Sequence, residues 1–274
     1  MTTRIYSTAH SDLLVGEKYT DTDANRINAA LAESLFNRQY PNNTDMSAGQ
    51  FIAAYLKLNW NKLTVLDGLL KFLMAKNCKR ILSLGSGEAI LEYMLMEHAK
   101  KEQYDLNVCA SDICDLHVKT SNRLFPDTEY YKINFLENSV SQILDQTGEV
   151  DAILSFGSFY VMNDNELTQF LADFAKTSVP YIIDFHAGVI LNKQEYLETV
   201  KVAKSIKNET NKYRKEHPNT AFPSGVMFHG YSRMPQEIFK IYNNSGCWST
   251  SEIFNISETD SYKFAVALER KGKE

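Results

Sequence analysis

The stretch "KRILSLGSGEAILEYML", Lys79–Leu95, decides the fold. A run of apolar residues ends at Gly85-Ser86-Gly87, and a helical pattern begins at once. Such a corner lies at the carboxyl end of a parallel strand, where a ligand can approach bare backbone and the helix beyond presents free N–H groups. Plain packing is the alternative use of the same glycines.

The rhythm that surrounds this stretch is α/β. Strand-like segments are "RILSLG", "LNVCAS" (Leu106–Ser111), "TEYYKIN" (Thr128–Asn134), "VDAILSF" (Val150–Phe156) and "VPYIIDF" (Val179–Phe185). Helical patterns fall between them at Glu88–Lys101, Asp115–Leu124 and Glu166–Lys176. The last carries a capping signature, Asn163 with Glu166, and apolar residues at Leu167, Phe170, Leu171 and Phe174. Strands spaced by helices pair in parallel through right-handed crossovers, with both faces covered. "CWSTSEIFNIS" and "SYKFAVALER" read as a closing antiparallel hairpin, behind a helix with Pro235 in its first turn and Gly246 at its end. The expected fold is therefore a doubly wound, mostly parallel seven-stranded sheet with a C-terminal antiparallel hairpin and helices on both faces.

Two regions stand outside that rhythm. Residues 1–76 read as an N-terminal helical cap or lid: a tail over 1–20, a helix over Asp21–Tyr40 and a helical region over Ser47–Lys76. Residues 77–274 form the main domain, with an insertion at 186–231. The insertion holds a polar helix, Lys193–Arg214, and the loop "HPNTAFPSGVMFHGYS", whose length suggests a functional part.

Composition narrows the function. The chain has 274 residues, 44% of them hydrophobic, and a net charge of −5. No Lys/Arg stripe runs along a predicted helix, so nucleic acid is not an expected partner. "NKYRKEH", Asn211–His217, reads as a solvated helix face. The chain shows neither a signal-peptide pattern nor an apolar run of membrane-spanning length, so no membrane partner is expected. Cys78, Cys109, Cys114 and Cys247 form no CxxC pair and read as reduced, buried thiols of a cytoplasmic protein. No HExxH or clustered His/Asp set suggests a metal.

The corner itself discriminates among ligands. A phosphate-binding loop needs Lys and Ser/Thr after the last glycine, but Glu88 and Ala89 stand there. A dinucleotide corner wants a small residue at the sixth position, occupied here by Ile90. Glu88 would also repel a pyrophosphate.

"RILSLGSGEA" resembles the first motif of the class I S-adenosylmethionine (SAM)-dependent methyltransferases, hhDhGxGxG with h apolar. It matches at Ile81, Leu82, Leu84, Gly85 and Gly87, and departs at Ser83, where an acid is usual, and at Ala89, where a glycine is usual. The resemblance covers about Lys79–Phe185 and Met234–Arg270. It implies SAM as cofactor, without a metal. It implies that Ser83, Gly85, Ser86 and Gly87 line the ligand and that Asp112 accepts from both ribose hydroxyls. Ile113, Asn134 and Phe135 would then surround the adenine, and Phe156 would lie beside the methyl donor in "ILSFGSFYVMND". Tyr19 is a candidate lid contact. Candidate catalytic groups are Tyr160, His186 and His229. Each has a plainer reading: core aromatic, loop-capping histidine and surface loop histidine. Asp184 can orient a histidine or cap an element, and His98 and His117 read as helix-surface residues.

The expected function is methyl transfer to an oxygen or nitrogen of a small molecule, a sugar or secondary metabolite by preference, by a monomer or homodimer. A protein or peptide methyltransferase and a catalytically silent SAM-binding scaffold are the rival readings. A nicotinamide-dependent oxidoreductase is disfavoured by Ile90.

Overall fold

The computed structural model describes residues 3–8, 32–33, 36–37, 40, 44–216, 226–256 and 262–272. In chain order its elements are β1 (Thr3–Thr8), α1 (Ala48–Asn59), α2 (Leu66–Ala75), β2 (Arg80–Leu84), α3 (Ile90–Lys101), β3 (Asn107–Asp112), α4 (Asp115–Leu124), β4 (Tyr130–Lys132), α5 (Val140–Thr147) and β5 (Ala152–Phe156). There follow α6 (Asp164–Phe174), β6 (Tyr181–His186), α7 (Lys193–Glu216), β7 (Val226–Ser232), α8 (Pro235–Asn244), β8 (Trp248–Ile253) and β9 (Phe264–Arg270). Short 3₁₀ turns occupy Trp60–Val65 and Phe159–Val161.

Seven strands form one sheet in the order β4-β3-β2-β5-β6-β9-β8. The first five strands of that order pair in parallel, and β9 is antiparallel to both β6 and β8. The expected doubly wound sheet with its terminal hairpin is what forms. Strand order reverses between β2 and β5, which opens a crevice at their carboxyl ends.

Alternation along each strand feeds two cores. On one face Ile81, Leu154, Phe156, Ile183 and Phe185 pack with Phe51, Leu66, Leu69 and Leu73 of α1 and α2. On the other, Leu82, Ile153 and Ile182 pack with Leu167, Phe170 and Leu171 of α6 and Ile238 and Tyr242 of α8. The apolar stripe read from α6 is thus the face it buries.

Four local features depart from expectation. The helical region over Ser47–Lys76 is broken at Trp60–Val65. There the Asn59 side chain donates to the Tyr55 carbonyl, and Thr64 Oγ1 donates to the Asn61 carbonyl, so side chains compete with the helix ladder. Helix α5 was not foreseen, although Ser139 and Gln142 make a complete capping box at its start. The residues expected as an N-terminal tail include strand β1. The end of the expected insertion loop is strand β7, and the two pair antiparallel as a separate ribbon with a bulge at Ile5/Tyr6. The helix expected over Asp21–Tyr40 lies mostly outside the described residues. Within it Ala32, Glu33, Phe36 and Asn37 are helical.

All four cysteines are free thiols, and burial, above other causes, pushes Cys78 and Cys109 up to about 12. Among the described residues no helix is long and apolar enough to cross a membrane.

Candidate active site

The corner after β2 is built for close approach. Gly85 has φ +68°, and a Cβ there would stand 2.6 Å from Ser158 Cβ. Gly87 has φ +57° and faces open space. Ala89 adopts φ +54°, a left-handed conformation that alanine tolerates at a cost of about 1 kcal/mol. The loop is held from behind. Ser86 N–H donates to the Ser111 carbonyl at 2.8 Å, and Ser86 Oγ lies 3.1 Å from that carbonyl and from the Tyr130 hydroxyl. Tyr130 in turn donates to the Gly87 carbonyl. The Ser86 side chain therefore braces the corner and does not face the cavity.

Asp112, at the end of β3, is 7% exposed and ties the corner to its own helix start. Its Oδ2 accepts Gly87 N–H at 3.0 Å and its Oδ1 accepts Cys114 N–H at 2.9 Å. Each oxygen keeps a further lone pair for a ligand hydroxyl.

A cavity of about 310 Å³ opens here. Its wall brings together Gly85, Gly87, Asp112, Ile113, Asn134 and Phe135, six of the residues that the resemblance assigns to the ligand, with Gly157, Ser158 and Tyr160 on the β5 side. Asn134 also shapes its own turn, since its Oδ1 accepts Leu136 N–H at 3.1 Å. Ser158 joins the two sides of the crevice: its Oγ donates to the Leu84 carbonyl at 2.5 Å and lies 2.9 Å from Ser155 Oγ. Phe156 is near but turned away, stacked on Tyr262 and against Phe185.

Ser83 is fully buried on the α3 side, and its hydroxyl donates to Glu92 Oε1 at 2.6 Å. Glu92 is itself 1% exposed, and burial, outweighing the Ser83 bond, pushes its carboxyl up to about 7.

The candidate catalytic residues separate. Tyr160 lies in the cavity wall, and burial pushes its hydroxyl well above the usual phenol range. Gly230 of β7 covers its ring so closely that a Cβ would fall 2.1 Å from Tyr160 Cδ2. His186 is wholly buried at the end of β6 and not in the cavity wall. Its Nδ1 lies 2.7 Å from Asp184 Oδ2, which also accepts from the Tyr242 hydroxyl at 2.5 Å. Asp184 thus orients the imidazole, against the sheet face covered by α8. His229 lies on β7, and its side chain is outside the described features. Tyr19 lies outside the described residues.

Sequence reasoning missed His117. It is not a surface residue: it is 8% exposed, lines the cavity, and places Nδ1 3.3 Å from Asp112 Oδ1. The pair attracts without hydrogen-bond alignment. Burial opposes the charged imidazole, but Asp112 and then Glu88 outweigh it and raise its proton affinity. Glu88 and, from the N-terminal region, Ala32 and Phe36 also line the wall. Among the described residues no three His, Cys, Asp or Glu side chains are grouped to hold a metal.

No protein-family model matches the chain, and no curated protein matches it. Solved structures do. Magnesium protoporphyrin IX methyltransferase from Synechocystis PCC 6803, with bound S-adenosylhomocysteine (SAH), superposes with a TM-score of 0.53 at 13% identity, over 89% of this chain and 95% of that one. 1,6-Didemethyltoxoflavin-N1-methyltransferase from Burkholderia thailandensis, with its substrate and SAH bound, gives a TM-score of 0.51 at 10% identity, over 94% of each chain. At these identities the likeness speaks for architecture, and it agrees with the strand order and the reversed last strand: the chain has the fold of the class I SAM-dependent methyltransferases.

Proposed function

We propose that this chain is a SAM-dependent methyltransferase acting on an oxygen or nitrogen of a small molecule. One observation carries the reading: a single cavity at the β2/β5 crevice gathers the glycine corner, Asp112, Ile113 and Phe135 in the arrangement a nucleoside needs. The residues suit SAM in shape and charge. A Cβ at Gly85 would press on Ser158 of the wall, and Asp112 and Glu88 in the lining give an acidic surrounding for a sulfonium cation. The structural neighbours that carry SAH support the same ligand.

When bound, SAM supplies a methyl group already activated by its sulfonium. The protein's part is placement. Asp112 accepts the ribose hydroxyls, Ile113 and Phe135 flank the base, and the Gly157–Ser158 backbone borders the donor end. Tyr160 stands in the acceptor half of the wall. Its raised pKa keeps it a neutral donor that orients an acceptor atom instead of taking its proton. His186, held by Asp184 under α8, secures the β6 end from behind.

Residues 1–76 and the insertion 186–231 act together as a lid. Phe36 enters the wall, β1 pairs with β7, and Gly230 rests on Tyr160. A wall mostly of apolar side chains suits a small aromatic or cyclic acceptor better than a peptide.

The test is calorimetry with SAM and SAH, followed by an acceptor screen with methyl-labelled SAM. Absence of SAH binding would remove the proposal. Binding without transfer to any small acceptor would leave a silent SAM-binding protein.

A further inference from the structure

The strand before the glycine corner carries Ser83 where the family it resembles usually carries an acid. The helix carries a carboxylate in its place. Glu92, in the first turn of α3, reaches back to β2 and accepts the Ser83 hydroxyl on Oε1. Its Oε2 is buried and has no hydrogen-bond partner among the described residues. A buried, unsatisfied carboxylate oxygen is costly, and the apolar packing around α3 gives no reason to retain it.

A cation lies within electrostatic reach of it: burial disfavours the charge on Lys62, and Glu88 and Glu92 favour it. Lys62, on the 3₁₀ turn after α1, places Nζ 5.8 Å from the ring centroids of both Tyr55 and Tyr262. The Tyr262 ring reaches to 3.0 Å from the Cβ position of Gly157, a residue of the cavity wall. Asp112 ends β3 on one side of β2, and Gly157 follows β5 on the other. A nucleoside sugar held at Asp112 therefore extends its 5′ substituent toward Gly157, beside the Tyr262 ring that Lys62 also approaches.

We propose that Glu92 supplies from helix α3 the carboxylate that β2 lacks at residue 83, binding the ammonium of an amino-acid-bearing nucleoside whose carboxylate faces Lys62. The inference rests on the cofactor reading above and assigns its amino-acid end to residues outside the motif. The charged and titratable groups facing Glu92 are consistent with it. Glu88 and Asp112 add negative charge, Lys62 opposes it, and burial keeps Tyr55, Tyr130 and Tyr262 neutral. Burial pushes the Glu92 carboxyl up to about 7, so an arriving ammonium displaces its proton.

The experiment is calorimetry of SAH and of 5′-methylthioadenosine, which lacks the amino-acid end, against the wild type, Glu92→Gln and the double variant Ser83→Asp/Glu92→Gln. Glu92→Gln should bind SAH about 10- to 100-fold more weakly, the loss of one charge-assisted bond. It should bind methylthioadenosine as the wild type does. The double variant, with its acid back on the strand, should regain most of the SAH affinity. Wild-type affinity for SAH should rise with pH through about 7, and that of Glu92→Gln should not. Unchanged SAH binding by Glu92→Gln overturns the inference and leaves the cofactor reading standing. Equal losses for both ligands overturn it as general damage. A wild type that binds neither ligand takes both readings down.

Discussion

Asp112→Ala should cost the unliganded protein stability as well as ligand affinity. Asp112 accepts two backbone N–H groups, from Gly87 and Cys114. Cys114 is fully buried, so its N–H would lose its partner with no water to replace it, at about 1–3 kcal/mol. Gly87 is only partly buried, and its N–H can turn to solvent at smaller cost. His117 would lose its charge partner as well. The expected total is about 2–3 kcal/mol, or about 4–10 °C in melting temperature for a chain of this size. Asp112→Asn keeps one acceptor but sets an NH₂ against an N–H, so it should fall between Asp112→Ala and wild type. Urea unfolding without ligand measures the stability, and calorimetry with SAH measures the affinity. An Asp112→Ala protein within about 0.5 kcal/mol of wild type would refute the bracing argument, whatever became of binding.

Gly85→Ala should lower stability by about 2 kcal/mol and abolish SAH binding. It combines a left-handed φ with a contact on Ser158, and is read by denaturation and calorimetry. Gly230→Ala should destabilise by about 1–3 kcal/mol through overpacking on Tyr160, and adding Tyr160→Leu should recover part of the loss in a melting assay. The buried Glu92 carboxyl, raised to about 7, should erode unliganded stability as pH climbs from the unfolded value near 4.3 to about 7, with no further loss above. Glu92→Gln should flatten that limb and be at least as stable at pH 8, measured as melting temperature against pH. Glu129 has the opposite sign. Arg80 first, then Tyr131, hold its carboxyl far below the usual range, so its support is present above pH ~4.3 and lost as pH falls further. The pair is half-exposed, so Glu129→Gln should flatten the acid limb by no more than about 1 kcal/mol.

The parallel sheet was legible because its signals are local: each strand is a short apolar run, and each return needs a helix. Asp112 was legible because one helix and one strand separate it from Gly85. Other features left different traces. The buried positions of α4 are His117, Thr120 and Ser121, an i, i+3, i+4 stripe made of polar residues, so a reading by hydrophobicity assigns that face to solvent. Ser121 earns its burial by donating to the Glu88 carbonyl, which steadies the corner from outside. The Ser83–Glu92 bond joins residues whose pairing appears only once α3 is laid against β2. Pairing of β1 with β7 leaves no periodic trace, because neither segment carries the other's register.

That ribbon has a consequence for how the protein is made. β1 is synthesised well before its partner β7, which follows about 220 residues later, a wait of about 10–40 s at ordinary elongation rates. Throughout that interval the parallel sheet can assemble while Thr3–Thr8 has no edge to join. The ribbon can thus close only after all five parallel strands have been made, and the crevice between β2 and β5 is formed before β1 and β7 have met.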